Sequence, residues 1–396
     1  MSTDFRLDTA SFPEELNLML ALLGGEAGDK LQAAGIDWDL FLQLARHHRV
    51  YPSLYHKLQQ AGISAIPAHV MQALRADYQQ NIFRMLQLSG EMEQICRTLG
   101  EANIRTLVLK GPVLAADLYG DLSLRTCGDL DLLVPIDDLD RAEQLLGLLG
   151  YIKDEYIQTV LSDWKWRHHH ITFFHRHMGI KIELHWRLGP GPGSEPGFYS
   201  LWQRKRLSAI TRHPVYYLGR EDLFLFLVSH GARHGWSRLR WLTDIHQLCR
   251  QPLDDNKLRG LLVKYRTSHI AAQAWILTSQ LLHTPLSESC RRWSKEQRAR
   301  SLAQGALYYI GQMINLHSEP LPEDVSRYHK RHLFALMSCQ TKLLFIMSLL
   351  YPYPHDAETL ALPKALHFLY FPLRPFLWAW RKTKKVRLIV ARSGIK

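Results

Sequence analysis

The sequence predicts an α+β protein in which a mixed α/β segment, about residues 102–210, lies between two helical regions. Three observations carry that expectation. Before about Ala102 the apolar residues recur at helical spacing. Between Ile104 and Trp186 they gather into short runs of strand length, and beyond about Glu221 helical stripes return. The chain accordingly divides into an N-terminal helical region (1–100), an α/β core (101–210) and a C-terminal helical region with a basic, aromatic tail (211–396). A length of 396 residues suits two or three such units.

Each element follows from local chemistry. Leu74, Tyr78, Ile82 and Leu86 recur every four residues, as along one face of an amphipathic helix, and Pro52 and Pro67 separate shorter helices before it. Ile104–Leu109 (IRTLVL) reads as a buried strand. Lys110-Gly111-Pro112 breaks it, and Val113–Tyr119 follows as a short helix with Pro112 near its first turn. Asp129–Val134 (DLDLLV) is a second strand and Asp137–Leu149 has helical spacing. Ile171–Phe174 and Ile180–Trp186 (IKIELHW) are two further strands joined by a turn at His177-Met178-Gly179. Gly189–Gly197 (GPGPGSEPG) is a long Pro/Gly loop, of the sort that is mobile or covers a site. Asp222–Arg233 and Arg238–Arg250 carry apolar stripes, and more helices follow to about Ser348. In the tail, Pro372 and Pro375 are expected to interrupt any long amphipathic helix.

Composition narrows the function classes. Hydrophobic residues at 46% and charged residues at 22% exclude a disordered or fibrous chain. The net charge of +12 favours an anionic partner, whether nucleotide, nucleic acid or phospholipid surface, without choosing among them. The longest apolar run, Leu343–Tyr351, falls far short of the roughly 20 residues that span a bilayer. The N-terminal residues show no secretory pattern. Five scattered cysteines without a CxxC pair support neither a disulfide framework nor a zinc knuckle, so a reducing cytoplasm is the expected compartment.

The stretch Leu109–Val134 (LKGPVLAADLYGDLSLRTCGDLDLLV) carries the chemistry. On a strand, residues two apart share a face, so Asp129 and Asp131 project together while Leu130 and Leu132 point to the core. Two such carboxylates repel each other unless a cation sits between them, and Mg²⁺ suits hard oxygen ligands completed by phosphate. Glu183, flanked by Ile182 and Leu184, is a third acid inside a strand. If its strand lies beside 129–134, three carboxylates converge, enough to hold two metal ions for in-line displacement at phosphorus. Gly111 would let backbone N–H groups approach a phosphate, Lys110 adds a point charge, and Arg125 would clamp phosphate oxygens.

Other residues have two readings each. His185 shares a strand face with Glu183 and would contact a phosphate or the acceptor, or make a structural hydrogen bond. In Leu227–Ile245, His230 and His234 share a helix face, but Gly231 follows His230, so the HExxH metalloprotease signature is absent. Either His234, Arg240 and Asp244 form the wall of a nucleotide or acceptor cleft, or His230, Trp236 and Trp241 pack helices on the core while Asp244 satisfies a His or Arg. His168, His169, His170, His175 and His177 are a second metal site or a partly solvated strand and turn. The tail, with Arg381, Lys382, Lys384, Lys385 and Arg387 after its aromatics, suits a membrane interface or nucleic acid, or is a docked helix with a solvated basic end.

The order strand, Lys-Gly bend, helix, DxD strand and later strand carboxylate resembles the polymerase-β-type nucleotidyltransferase superfamily. More closely, KGPVLAADLYGDLSLRTCGDLDLLV, IELHWRL and HGARHGWSRLRWLTDI resemble a bacterial family of uncharacterised nucleotidyltransferases, over roughly residues 20–300. The resemblance implies a mixed-sheet polymerase-β-like core with helical flanks and Mg²⁺-dependent transfer of a nucleoside monophosphate from an NTP, ATP among the candidates. It implies that Asp129, Asp131 and Glu183 bind two Mg²⁺ and that Lys110, Gly111 and Arg125 face the triphosphate. Lys-Gly stands where the superfamily has Gly-Ser. The acceptor, an RNA end, a protein hydroxyl or a small molecule, is left open. Two other expectations stand beside this one: a nucleotide-binding scaffold with weak turnover, and a basic module for peripheral membrane or nucleic-acid contact.

Overall fold

The computed structural model describes residues 5–25, 35–61, 66–155, 157, 160, 164–316 and 320–393. The N-terminal helices are α1 (Glu14–Gly24), α2 (Trp38–His47), α3 (Tyr51–Ala61) and α4 (Ala68–Glu101). The central part runs β1 (Leu107–Val108), α5 (Pro112–Tyr119), β2 (Asp129–Leu133), α6 (Leu139–Leu148), β3 (Ile152–Lys153), α7 (Trp164–Arg167), β4 (His170–His175), β5 (Ile180–His185), α8 (Phe198–Gln203), β6 (Arg206–Leu207) and β7 (Tyr216–Tyr217). Helices then follow: α9 (Arg220–Arg233), α10 (Leu239–Cys249), α11 (Asp255–Lys264), α12 (Ser268–Leu281), α13 (Glu288–Trp293), α14 (Gln297–Gly311), α15 (Glu323–Leu336), α16 (Cys339–Ser348), α17 (Pro354–Thr359) and α18 (Tyr370–Ser393). The protein is α+β, with one mixed sheet of seven described strands in the order β3-β4-β5-β2-β1-β7-β6.

Strand β2 sits in the middle of that sheet, antiparallel to β1 and parallel to β5. Leu130 and Leu132 are buried on one side of it, as the alternation requires. The first expected strand shrinks from Ile104–Leu109 to the ladder residues Leu107 and Val108. Its backbone nevertheless continues alongside β2, with the Leu109 amide donating to the Asp131 carbonyl at 2.9 Å. Gly111 then turns the chain at φ +91°, ψ −141°, a backbone region costly for any residue with a Cβ, and Pro112 opens α5 with its fixed φ. The two-residue strands β3, β6 and β7 are too short to leave a sequence signature.

Helix α4 is 34 residues, about 50 Å at 1.5 Å per residue. Its buried apolar positions are Val70, Leu74, Met85, Leu88, Met92, Ile95, Cys96 and Leu99. The expected stripe of Leu74, Tyr78, Ile82 and Leu86 does not stay inside: Leu86 is exposed. A strict period of four drifts from the helical 3.6 by about 40° per repeat, so its fourth member has rotated roughly 120° off the face. Alternating steps of three and four, through Met85, Leu88, Met92, Ile95 and Leu99, keep to the core instead. Two apolar clusters result. One joins α1–α3 and the start of α4 to α9–α14; the other joins the sheet and α6 to the second half of α4.

At the far end, α18 runs through both prolines, contrary to expectation. Pro372 lies in the first turn, where its missing N–H has no intrahelical acceptor, and Pro375 forgoes one further bond close to the helix start. The side chains of Lys384, Lys385 and Arg387 lie outside the described residues.

Candidate active site

The parallel pairing of β2 with β5 sets Asp129 opposite Lys181, Asp131 opposite Glu183 and Leu133 opposite His185. Asp129, Asp131, Lys181, Glu183 and His185 therefore share one face of the sheet. β4 adds a further row of side chains, because its antiparallel pairing with β5 places His170 opposite His185. The third acid thus lies beside the aspartate pair.

The cluster is dense in charge. Lys110, reaching over from the bend after β1, places Nζ 2.9 Å from Asp131 Oδ1. His185 Nε2 lies 3.2 Å from the same oxygen and 3.6 Å from Glu183 Oε2. Lys181 bridges the other two acids, with Nζ 2.6 Å from Glu183 Oε1 and 3.1 Å from Asp129 Oδ2. Side-chain exposure rises from 1% at Asp131 to 17% at Glu183 and 26% at Asp129, so the cluster is closed at one end and open to solvent at the other.

Its titration follows from that gradient. Burial opposes charge on Asp131 and raises its carboxyl pKa, more than Lys110 can offset. For Glu183 burial pushes the same way, but His185, Lys110 and His170 outweigh it and hold the carboxyl below its usual range. Burial disfavours the Lys110 ammonium, yet Asp131, Asp129 and Glu183 together raise its pKa. His185 behaves likewise: burial is overcome by hydrogen bonds to Asp131 and Glu183, and its pKa rises. Beside it, burial and the neighbouring His185 charge lower His170 to about 3. His170 is therefore a neutral imidazole, in the state a metal ligand requires.

Metal fits this donor set. Ligand atoms of Asp131, Glu183 and His185 lie within 4.8 Å of one another, as do those of His169, His170 and His185. Asp131 Oδ2 is buried without a hydrogen-bond partner, which is costly for a carboxylate oxygen and is relieved by a cation. Three carboxylates with an unsatisfied oxygen suit a hard divalent ion.

Four residues expected at the triphosphate or cleft wall are engaged by other partners. Arg125 is buried and donates from Nε and Nη2 to both oxygens of Asp244, at 2.8 and 2.9 Å. Asp244 also accepts from Tyr119 Oη at 2.9 Å. This pair staples α10 to the segment before β2, so neither partner offers a charge to a phosphate. Arg240 is buried as well, its Nη1 donating to the Thr126 carbonyl at 2.8 Å. His234 has its ring 4.7 Å from that of His230 and 5.2 Å from Trp241. Trp236 is fully buried and Trp241 nearly so, which is the packing alternative for this stretch.

Sequence reasoning missed two neighbours of the acids, Lys181 and Arg233. Lys181 stands two residues before Glu183 and shares its face by simple alternation, a signal that was legible. His169 and His170 separate from His175 and His177: the former join the acids, while the His175 ring meets Tyr151 at 5.2 Å. Arg233, on α9, reaches His169 with Nη1 3.3 Å from Nε2, a contact across 64 residues that no local pattern announces.

Compared with known proteins, residues 34–283 match the model of a family described as uncharacterised nucleotidyltransferase. No curated protein and no solved structure gives a significant match. Since the matched segment is well over half of the chain, the protein belongs to that nucleotidyltransferase family.

Proposed function

We propose that the protein is a Mg²⁺-dependent nucleotidyltransferase that moves a nucleoside monophosphate from an NTP to a hydroxyl acceptor, and that its sheet is a polymerase-β-like core. Membership of the family supports nucleotide transfer in general terms. The observation that carries the specific reading is the in-register pairing of Asp131 with Glu183, with Asp129 on the same face and Asp131 Oδ2 unsatisfied. Asp129, Asp131 and Glu183 would hold the metal, which supplies charge neutralisation at the reacting phosphate and at the departing pyrophosphate. Lys110 reaches that cluster and would give the triphosphate a cation, and the adjoining Gly111 bend at the start of α5 would give it a backbone approach. His185, bridging Asp131 and Glu183, holds the two carboxylates in position. Among the described residues no helix is long and apolar enough to cross a membrane.

A second reading has its own observation. Lys110 and Lys181 already occupy the carboxylates, as they would in a protein that binds a nucleotide without turning it over. Incubation with each α-³²P-labelled NTP, Mg²⁺ and RNA, protein or small-molecule acceptors separates the two. Labelled product that disappears in Asp131→Asn supports the transferase. Saturable NTP binding without product from any acceptor supports the scaffold.

A further inference from the structure

Next to the acid cluster lies a cavity of about 740 Å³, within the roughly 300–1,000 Å³ typical of small-molecule sites. Its walls come from the end of α7, the Pro/Gly loop after β5, α9, the start of α12, α15–α16 and the start of α17. Leu225, Phe226, Ile270, Leu336 and Phe345 make most of it apolar. Such walls suit a ribose and three phosphates poorly, because most polar groups placed there would lose their water without gaining a partner, although Ser229, Thr341 and Arg167 also line the cavity.

One end is different. Arg233 and His230 line the cavity there, and Arg233 Nη1 touches His169, whose ring neighbours His170 and His185 of the acid cluster. Among the described residues no carboxylate pairs with Arg233 at ion-pair distance; its hydrogen bonds go to His169 and His230. Glu195, on the same rim, is engaged by the amides of Leu188 and Gly189 at 2.9 and 3.0 Å. A cation in this setting, at one end of an apolar chamber, selects an anionic group.

Helix α16 turns a mixed face to the cavity and an apolar face outward. Thr341, Phe345 and Ser348, spaced four and three apart, line the cavity. Leu343, Ile346, Met347 and Leu350 point outward and are exposed. Tyr351, just beyond α16, meets the Phe371 ring of α18 at 5.0 Å, and α18 exposes Phe376, Trp378 and Trp380. From Leu366 to Lys396 the sequence has eight Lys or Arg and no acidic residue. Exposed aromatics beside basic charge are suited to an interface with anionic lipid.

We infer that this cavity takes the chain of an amphiphilic acceptor whose anionic, hydroxyl-bearing head lies at Arg233, beside the acid cluster. The inference rests on the transferase reading for the acceptor's role. In that role the head-group hydroxyl oxygen bonds the α-phosphorus of the NTP, the bond from that phosphorus to the α–β bridging oxygen breaks, pyrophosphate departs with the electron pair, and the hydroxyl proton passes to water.

The cavity is tested without catalysis, on the full-length protein. Dansyl-labelled undecanoic acid is titrated in and displaced with dodecyl phosphate. The expected result is saturable one-to-one binding, weakened at least about tenfold by Ser229→Trp and by Thr341→Trp, which fill the chamber from different walls. Circular dichroism and melting show that each variant is folded. Arg233→Gln weakens the dansyl acid more than a dansyl-labelled alcohol of the same length. Asp129→Asn and Glu183→Gln bind the probe as the parent does. Absence of saturable binding, or affinity unchanged in both filled variants, overturns the inference. If the probe behaves as expected while no labelled nucleotide product forms on any acceptor, the transferase reading fails and the amphiphile site stands. Flotation with phosphatidylglycerol and phosphatidylcholine vesicles identifies the source: binding to the anionic vesicles that Met347→Glu abolishes marks a membrane amphiphile, and no flotation marks one taken from solution.

Discussion

Among the buried charge clusters of the described residues, the one around Asp244 and the one around Asp131 are built to different ends. Around Asp244 the carboxylate is answered in full: Arg125 meets both of its oxygens and Tyr119 donates to one of them. Around Asp131 the acids outnumber their geometry. Oδ2 has no partner, lysines crowd in from two sides, and the far end is open to water. A closed cluster fixes a junction between elements. An open one, with a costly unsatisfied oxygen, is where a protein binds something.

The comparison breaks most visibly in activity. Asp131→Asn, near isosteric, is expected to cost about 1000-fold in nucleotide transfer, the upper range for removal of one electrostatic contact to a reacting group. It should leave the unfolding free energy within about 1 kcal/mol of the parent, because Lys110 keeps Asp129 and Glu183 as neighbours. Single-turnover assays and urea titration read the two quantities. In the closed cluster the pattern reverses. Arg125→Met strands a buried carboxylate and should destabilise the fold by about 3–5 kcal/mol, read from the urea midpoint. NTP affinity of the folded fraction should be unchanged. Lost affinity with an unshifted midpoint would return Arg125 to the triphosphate.

That reversal marks what was legible from sequence. The same-face pair Asp129 and Asp131 follows from strand alternation alone. The arrival of Glu183 beside Asp131 needs one assumption, that the two strands are neighbours, and the β2–β5 register supplies it. Arg125 escapes local reasoning because its partner is 119 residues away, and no local rule says which of many carboxylates a guanidinium will find. Lys181 obeys the same alternation as the acids but is easily overlooked, because a lysine in a strand usually means a solvated face. The α4 stripe fails for a geometric reason, since a period of four cannot track a 3.6-residue helix.

Histidines sharpen the contrast further. Burial lowers His246, His269 and His329, far from the acids, to about 4, against about 6.5 in the unfolded chain. Between those values the unfolded state binds more protons. Their contribution is therefore fully present above about pH 6.5 and is lost as pH falls toward 4. His185 has the opposite sign: its pKa is raised, so its contribution is full below about 6.5 and is lost as pH climbs through the folded value. The melting temperature should drop by several degrees between about pH 7.5 and 5. His185→Gln should deepen that drop, since it removes a contribution retained in acid; differential scanning calorimetry across the range reads it.

The smallest effect is expected at Lys181, whose side chain is 33% exposed. Lys181→Ala should change stability by less than about 1 kcal/mol. Removing a competing cation from Asp129 and Glu183 should nonetheless tighten Mn²⁺ binding, measured by electron paramagnetic resonance titration. Weaker Mn²⁺ binding would make the lysine part of the site rather than an occupant of it.

Helix α4 has a consequence for how the molecule comes apart. Its first turns are rooted in one apolar mass and its last in the other, so it serves both like a shared axle. Cutting the chain at either margin of the sheet would strip one end of that axle bare. The two masses should therefore melt in a single transition, and amide exchange along α4 should be slowest of all, with no fragment lacking it able to fold alone.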